Sequence, residues 1–201
     1  MRTNSKTRVV GQRVELVPYR SVHVERYHQW MSSDELRSLT ASLSLTLEEE
    51  HRMQEAWMSD DDKCTFIILD RALLASRGSE TEAMIGDTNL FLTDPEDRNL
   101  AEAEIMIAEP AFRGERRGWE AMLLMLRYGL EYLGVTRYQA KIGEGNTPSI
   151  NMFTKMHFCE VGRSEVFQEV TLEVVVDESW RNWLRDNTPV FQCLPYTPPD
   201  E

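Results

Sequence analysis

Apolar and polar positions alternate in short stretches along this chain, and helix start and stop signals separate the stretches. Val14, Leu16 and Pro18 share one face, which predicts a first strand over about 8–18 ending at a proline that cannot donate to a ladder. Ser21 then caps a helix with Val22, Tyr27 and Trp30 as a partial apolar face, and Ser32, Ser33 and Asp34 begin another. Thr46 followed by Glu49 is a capping box, opening a helix that carries Leu47, Met53 and Trp57. Apolar runs at 64–69 and 83–92 predict antiparallel neighbours joined by an exposed polar insertion at 70–82. At 101–108, Ala103, Ile105 and Ile107 take one face of a strand and Glu102, Glu104 and Met106 the other.

The next segment, 118–133, is apolar at nearly every position. Its exceptions, Glu120, Arg127 and Glu131, fall on one thin stripe, so the pattern predicts a nearly buried helix. Alternation returns at 137–142, and Asn146, Thr147 and Pro148 then offer a cap and a proline at or near the first helical position. Extended runs at 158–161 and 166–176 meet at Gly162, Arg163 and Ser164, which predicts a final hairpin. Asp177 caps a last helix with Trp180, Trp183 and Leu184 at helical spacing. From Pro189 onward the periodicity ends, so a mobile tail is expected over 189–201. The order of elements predicts one α/β domain over 1–188, with a mixed, mostly antiparallel (α+β) sheet.

Composition narrows the function. A chain of 201 residues, 41% hydrophobic, supports one good core. With 34 acidic against 22 basic residues the net charge is -12, which repels polyphosphate and anionic headgroups and speaks against nucleic acid and membrane as partners. No window approaches the ~20 apolar residues of a membrane span, and the N-terminus lacks the apolar core of a signal peptide. Cys64, Cys159 and Cys193 are odd in number and lack zinc-site spacing, so a cytoplasmic protein with reduced thiols and no metal is expected. Against this acidic background Arg113, Arg116 and Arg117 stand together in EPAFRGERRGWEAM, between a strand and a helix. Such a turn presents free N–H groups and the positive end of the helix dipole to an anion. Gly114 and Gly118 let the backbone approach it closely.

Here the sequence resembles a known family. MIAEPAFRGERRGWEAMLLML resembles the cofactor segment of the GNAT acetyltransferases, Arg/Gln-x-x-Gly-x-Gly/Ala leading into a helix. NTPSINMFTKMHF resembles their Asn-x-x-Ser-x-x-x-Tyr-x-Lys-x-Gly-Phe segment. The runs LTAS, DKCTFI, GDTNLFLTD, QAKIG and VFQEVTL are similar to the N-acetyltransferase 9-like branch. The resemblance implies the GNAT acyl-CoA N-acyltransferase fold, with the sheet splayed between 101–108 and 137–142. It implies acetyl-CoA as cosubstrate, its pantetheine arm along Ile105, Met106 and Ile107 and its pyrophosphate at Arg113, Gly114, Arg116, Arg117 and Gly118. Asn146, Ser149 and Phe153 are the further cofactor positions it suggests. The acceptor amine would enter over 31–46 and 162–168.

It also implies a protein or peptide acceptor, an N-terminal α-amine with tubulin as substrate and microtubule stability as the setting. The rival expectation is a catalytically weak GNAT-fold protein that binds microtubules or another partner. Three positions depart from the family pattern: Arg116 and His157 replace glycines, and Phe153 replaces a tyrosine able to reprotonate the departing thiolate. For the base that must deprotonate the amine, Glu104 and Glu102 share the face bordering the acyl group, and Glu104 is one pleat nearer the expected splay.

Overall fold

The computed structural model describes residues 2–92 and 96–198. The chain begins with β1 (Thr7–Val10) and β2 (Val14–Pro18), followed by α1 (Val24–Met31), α2 (Asp34–Leu39) and α3 (Leu47–Ser59). Next come β3 (Lys63–Asp70), α4 (Arg71–Arg77), α5 (Glu80–Ala83), β4 (Met84–Phe91) and β5 (Leu100–Ile107). Helix α6 (Arg117–Tyr128), β6 (Arg137–Gly143), α7 (Thr147–Lys155), β7 (Cys159–Ser164), β8 (Glu169–Val175), α8 (Glu178–Asp186) and β9 (Gln192–Pro195) complete it. The strands form one sheet in the order β7-β8-β6-β5-β4-β3-β2-β1-β9. Its pairs are antiparallel except β5 with β6. No helix among the described residues is long and apolar enough to cross a membrane.

Alternation along the strands gives the sheet two buried faces. Leu16, Phe66, Ile68, Leu90, Ala103 and Tyr138 line one of them, and α6 covers it with Met122, Leu123, Leu124, Met125 and Leu126, all fully buried. Val17, Tyr19, Ile67, Leu69 and Met106 line the other, under Tyr27, Trp30 and Met31 of α1. The buried helix read at 118–133 is α6, continued by a π-helical turn at Gly129–Leu133. Gly129 is pressed onto the sheet there: a Cβ would lie 2.7 Å from both Leu90 Cδ1 and the Tyr138 hydroxyl.

Four expectations need correction. The single strand over 8–18 is a hairpin, because the Glu120 carboxylate of α6 accepts the amides of Gln12 and Arg13 and turns the chain at Gly11. The polar insertion at 70–82 is helical. Asp70 caps α4 by accepting from Leu73 N at 2.9 Å, Gly78 ends it at φ 70°, and Leu73 and Leu74 pack against the cores. The last hairpin does not turn at Gly162, Arg163 and Ser164. Strand β7 runs through them with a register shift between Glu160 and Gly162, and the turn at 165–168 places Gln168 at φ 51°. The tail over 189–201 is not free, since β9 pairs with β1 from Thr7↔Pro195 to Val10↔Gln192. Tyr196 is buried beyond it and donates to Glu80 at 2.8 Å, whereas 199–201 lie outside the described residues.

Candidate active site

The site begins where two strands part. β5 pairs with β6 only at Leu100↔Arg137, Ala101↔Tyr138 and Glu102↔Gln139. On its other edge β5 stays bound to β4 as far as Gly86↔Ile107. The edge at 103–107 therefore faces a gap instead of a strand, and unpaired amides and carbonyls of this kind accept an extended partner as if it were one more strand. Ile105 and Ile107 rest against the main core and Met106 enters the second, so side-chain packing fixes the strand while its backbone edge stays available.

Beyond β5 the chain makes one 3-10 turn at Pro110–Phe112 and enters the arginine-rich loop. Arg113 Nε donates to the Ile107 carbonyl at 2.9 Å and Nη1 reaches Glu35 at 3.0 Å, which fastens the loop to its own strand and to α2. Arg117 donates to Asp70 at 2.6 Å, pairs with Glu115 and lies 4.9 Å over the Phe112 ring. Arg116 forms no ion pair among the described residues. Gly114 and Arg116 are left-handed, at φ 76° and 65°, and Arg116 makes no side-chain cap to α6. The first amides of a 12-residue helix thus lack a capping acceptor. A Cβ on Gly118 would stand 3.1 Å from Ile107 Cγ1, so glycine there permits the helix to sit close to β5. An unpaired strand edge, an uncapped helix start and an unpaired guanidinium together fit an acyl-CoA, whose arm carries amides and whose other end carries phosphates.

The second motif is placed differently. The Asn146 side chain accepts from Ser149 N at 3.2 Å, which makes it the cap of α7 and puts Ser149, half-buried, in the first turn. Phe153 is buried in the main core, edge-on to Phe158 at 5.0 Å, so its ring is withdrawn from the gap. His157 takes φ 67°, the conformation for which the family's glycine is suited.

The second face of the sheet carries polar groups from three strands beside the gap. Thr65, Asn89 and Glu104 fall in one row across β3, β4 and β5, and Ile67, Asp87 and Met106 in the next. Thr65 donates to Asn89 at 2.5 Å and Asn89 donates to Asp87 at 2.9 Å. Lys63 is buried with Nζ 3.1 Å from the Trp57 ring centre and 4.3 Å from that of Phe91. Burial pushes Asp87 up to about 6 against the pull of Asn89 and Lys63, and pushes Lys63 down to about 8. Glu102 is ion-paired with Lys141 at 2.6 Å. Glu104 has no side-chain hydrogen bond among the described residues and stands just past the last β5–β6 pair. Burial, then the Glu102 and Asp87 carboxylates, raise it to about 7, with Lys63 and Lys141 opposing. Glu104 is nonetheless exposed at its surface, so water moderates the shift.

Asp87 and Lys63 escaped the reading of the sequence. The available signal was a charge inside or beside an otherwise apolar strand run. On the same side of the sheet Glu109, just after β5, accepts from Trp30 Nε1 at 2.8 Å and from Arg26, tying α1 to the end of the strand.

Comparison with known proteins adds to this geometry. Residues 13–159 match the acetyltransferase (GNAT) domain. The human alpha/beta-tubulin-N-acetyltransferase 9 is 54% identical, with 98% of this chain and 96% of that protein covered. The protein of the same name from Drosophila melanogaster is 50% identical over 96% of this chain and 99% of its own. Among solved structures, spermidine N-acetyltransferase from Vibrio cholerae in complex with CoA and spermine has a TM-score of 0.69 at 14% identity, covering 81% of this chain and 95% of that one. That last likeness is one of fold.

Proposed function

The chain belongs to the GNAT acetyltransferases, enzymes that move an acyl group from an acyl-CoA to an amine, and from that premise we propose that its donor is acetyl-CoA and its acceptor a protein N-terminal α-amine. Tubulin is the acceptor toward which the relatives' name points, and the proposed compartment is the cytoplasm, in keeping with three unpaired cysteines. The observation that carries the reading is the open carboxyl of Glu104, raised to about 7, at the point where β5 and β6 part.

An amine attacks a thioester only when neutral. An α-amine, with an ordinary pKa of about 7.7–8.0, yields its proton to such a carboxylate far more readily than a lysine near 10.4. The thioester supplies an activated acetyl carbonyl. Glu104 takes one ammonium proton and passes it to water, the freed nitrogen forms the amide bond, and the carbon–sulfur bond breaks to release a thiolate that accepts the nitrogen's second proton. That thiol's acidity is near that of cysteine, about 8.5, so it leaves without the phenol that Phe153 replaces. The β5 edge holds the arm at 103–107. Arg113 and Arg117 keep the turn in shape through Ile107, Glu35, Asp70 and Glu115, and the amides opening α6 receive the pyrophosphate.

Mass spectrometry of a peptide library incubated with the purified protein and acetyl-CoA tests this. Acetylation at peptide N-termini is the expected result. Product confined to lysine side chains would overturn the acceptor assignment. No product from a protein whose melting temperature rises with CoA would leave a binding protein on the GNAT fold.

A further inference from the structure

A second concavity lies on the outer side of α6. It encloses about 240 Å³ between the turn joining β1 to β2, the first turns of α6 and the segment that follows α8. Whole-ligand pockets run about 300–1,000 Å³, so its size suits one end of a ligand whose remainder lies elsewhere. Arg13 and Arg116 both line it. Neither guanidinium has an ion pair among the described residues, in a chain whose Arg8, Arg71, Arg117 and Arg127 are all paired with carboxylates.

The lining is built. The Arg13 amide is held by Glu120 at 2.9 Å, which fixes the hairpin turn against the helix and engages the Glu120 carboxylate with backbone. Arg116 lies 5.7 Å over the Trp119 ring, and Trp119 is itself braced edge-on by Trp183 at 6.3 Å. The cavity therefore combines two cations with an indole, a pairing that takes a phosphate beside a purine. Asp186 also lines the rim, and like Arg13 and Arg116 it is exposed, so water and salt screen all three charges.

We propose that Arg13 and Arg116, with Trp119, seat the 3′-phosphorylated adenosine end of the cofactor. The inference rests on the acyl-CoA reading above and extends it. Arg116 stands directly before the helix start that receives the pyrophosphate, so a ligand continuing past that point meets this cavity next. Arg13, about a hundred residues away in sequence, becomes a cofactor-binding residue, and Arg116 serves the terminal phosphate in preference to the pyrophosphate.

Titration calorimetry of the full chain with CoA and with 3′-dephospho-CoA separates the outcomes. Wild type should bind CoA roughly ten-fold more tightly, the scale of one charge-assisted contact at a partly open site. Arg13→Gln and Arg116→Gln should each erase most of that preference and leave the affinity for 3′-dephospho-CoA unchanged. Adenosine 3′,5′-bisphosphate should compete with CoA better than adenosine 5′-monophosphate does, and Arg13→Gln should abolish that difference. Equal binding of the two cofactor forms by wild type, or an undiminished preference in Arg13→Gln, overturns the seat while the acyl-CoA reading stands. Binding of neither form by the folded wild type overturns both.

Discussion

The proposed base, Glu104, sits where it is at some expense to the fold. Its folded pKa of about 7 lies above the ordinary 4.5, so the folded state holds its proton more firmly than the unfolded chain does. The stability this contributes is complete below pH 4.5 and is lost as pH rises to about 7. Glu104→Gln should therefore raise the melting temperature relative to wild type at pH 8 and change it little at pH 4, which a pair of calorimetric scans would check. The same variant should lower kcat by roughly 10²–10⁴-fold, the usual contribution of a positioned proton acceptor, with cofactor affinity unchanged. Unaltered turnover at neutral pH would remove Glu104 from the mechanism. Lys63 opposes the rise in Glu104 and Asp87, so Lys63→Met should move the acid limb of the kcat profile to higher pH. Glu102 and Glu104 could be picked out from the alternation of one strand alone. Their different states could not, because Lys141 on β6 pairs with Glu102 and carboxylates and lysines from four strands act on Glu104.

Among the elements, the loop opening α6 shows a local rule broken for a reason that lies elsewhere. Left-handed Arg116 costs about 1–2 kcal/mol relative to glycine. At about 2–4 °C per kcal/mol for a chain of this size, Arg116→Gly should raise the melting temperature by roughly 2–8 °C. It should also weaken CoA binding, with a steeper loss at high salt. Tighter binding by the glycine variant would show that loop strain outweighs the charge. Long, strongly periodic elements such as α6 and β5 were legible because burial repeats along them with the period of the helix or strand. α4 was missed although its Asp70 cap and Gly78 stop were both in view, since only Leu73 and Leu74 of its seven residues meet the cores. The helix at 147–155 was read from Asn146 and Pro148, and its Phe153 packs into the core edge-on to Phe158.

For the molecule as a whole, the far edge of the sheet depends on its last strand. Ending the chain at 190 would expose the β1 edge and remove both Phe191, whose ring lies 4.3 Å from the Arg127 guanidinium, and Tyr196 with its bond to Glu80. Burial of those two rings is worth about 3 kcal/mol, so the truncated protein should melt roughly 6–12 °C lower. An unchanged melting temperature would mean that β9 only rests on the sheet. The sequence by itself determined the mixed sheet, the nearly buried helix, the arginine-rich turn before it and the family, because each is written in residues close together along the chain. Tertiary structure alone decided where β5 leaves β6, that Asp87 and Lys63 stand with Glu104, that β9 closes the edge and that Arg13 and Arg116 line one cavity. Those juxtapositions join residues tens to nearly two hundred positions apart, and such contacts are selected by the packing of the entire sheet, which leaves no period or spacing in any one segment to read.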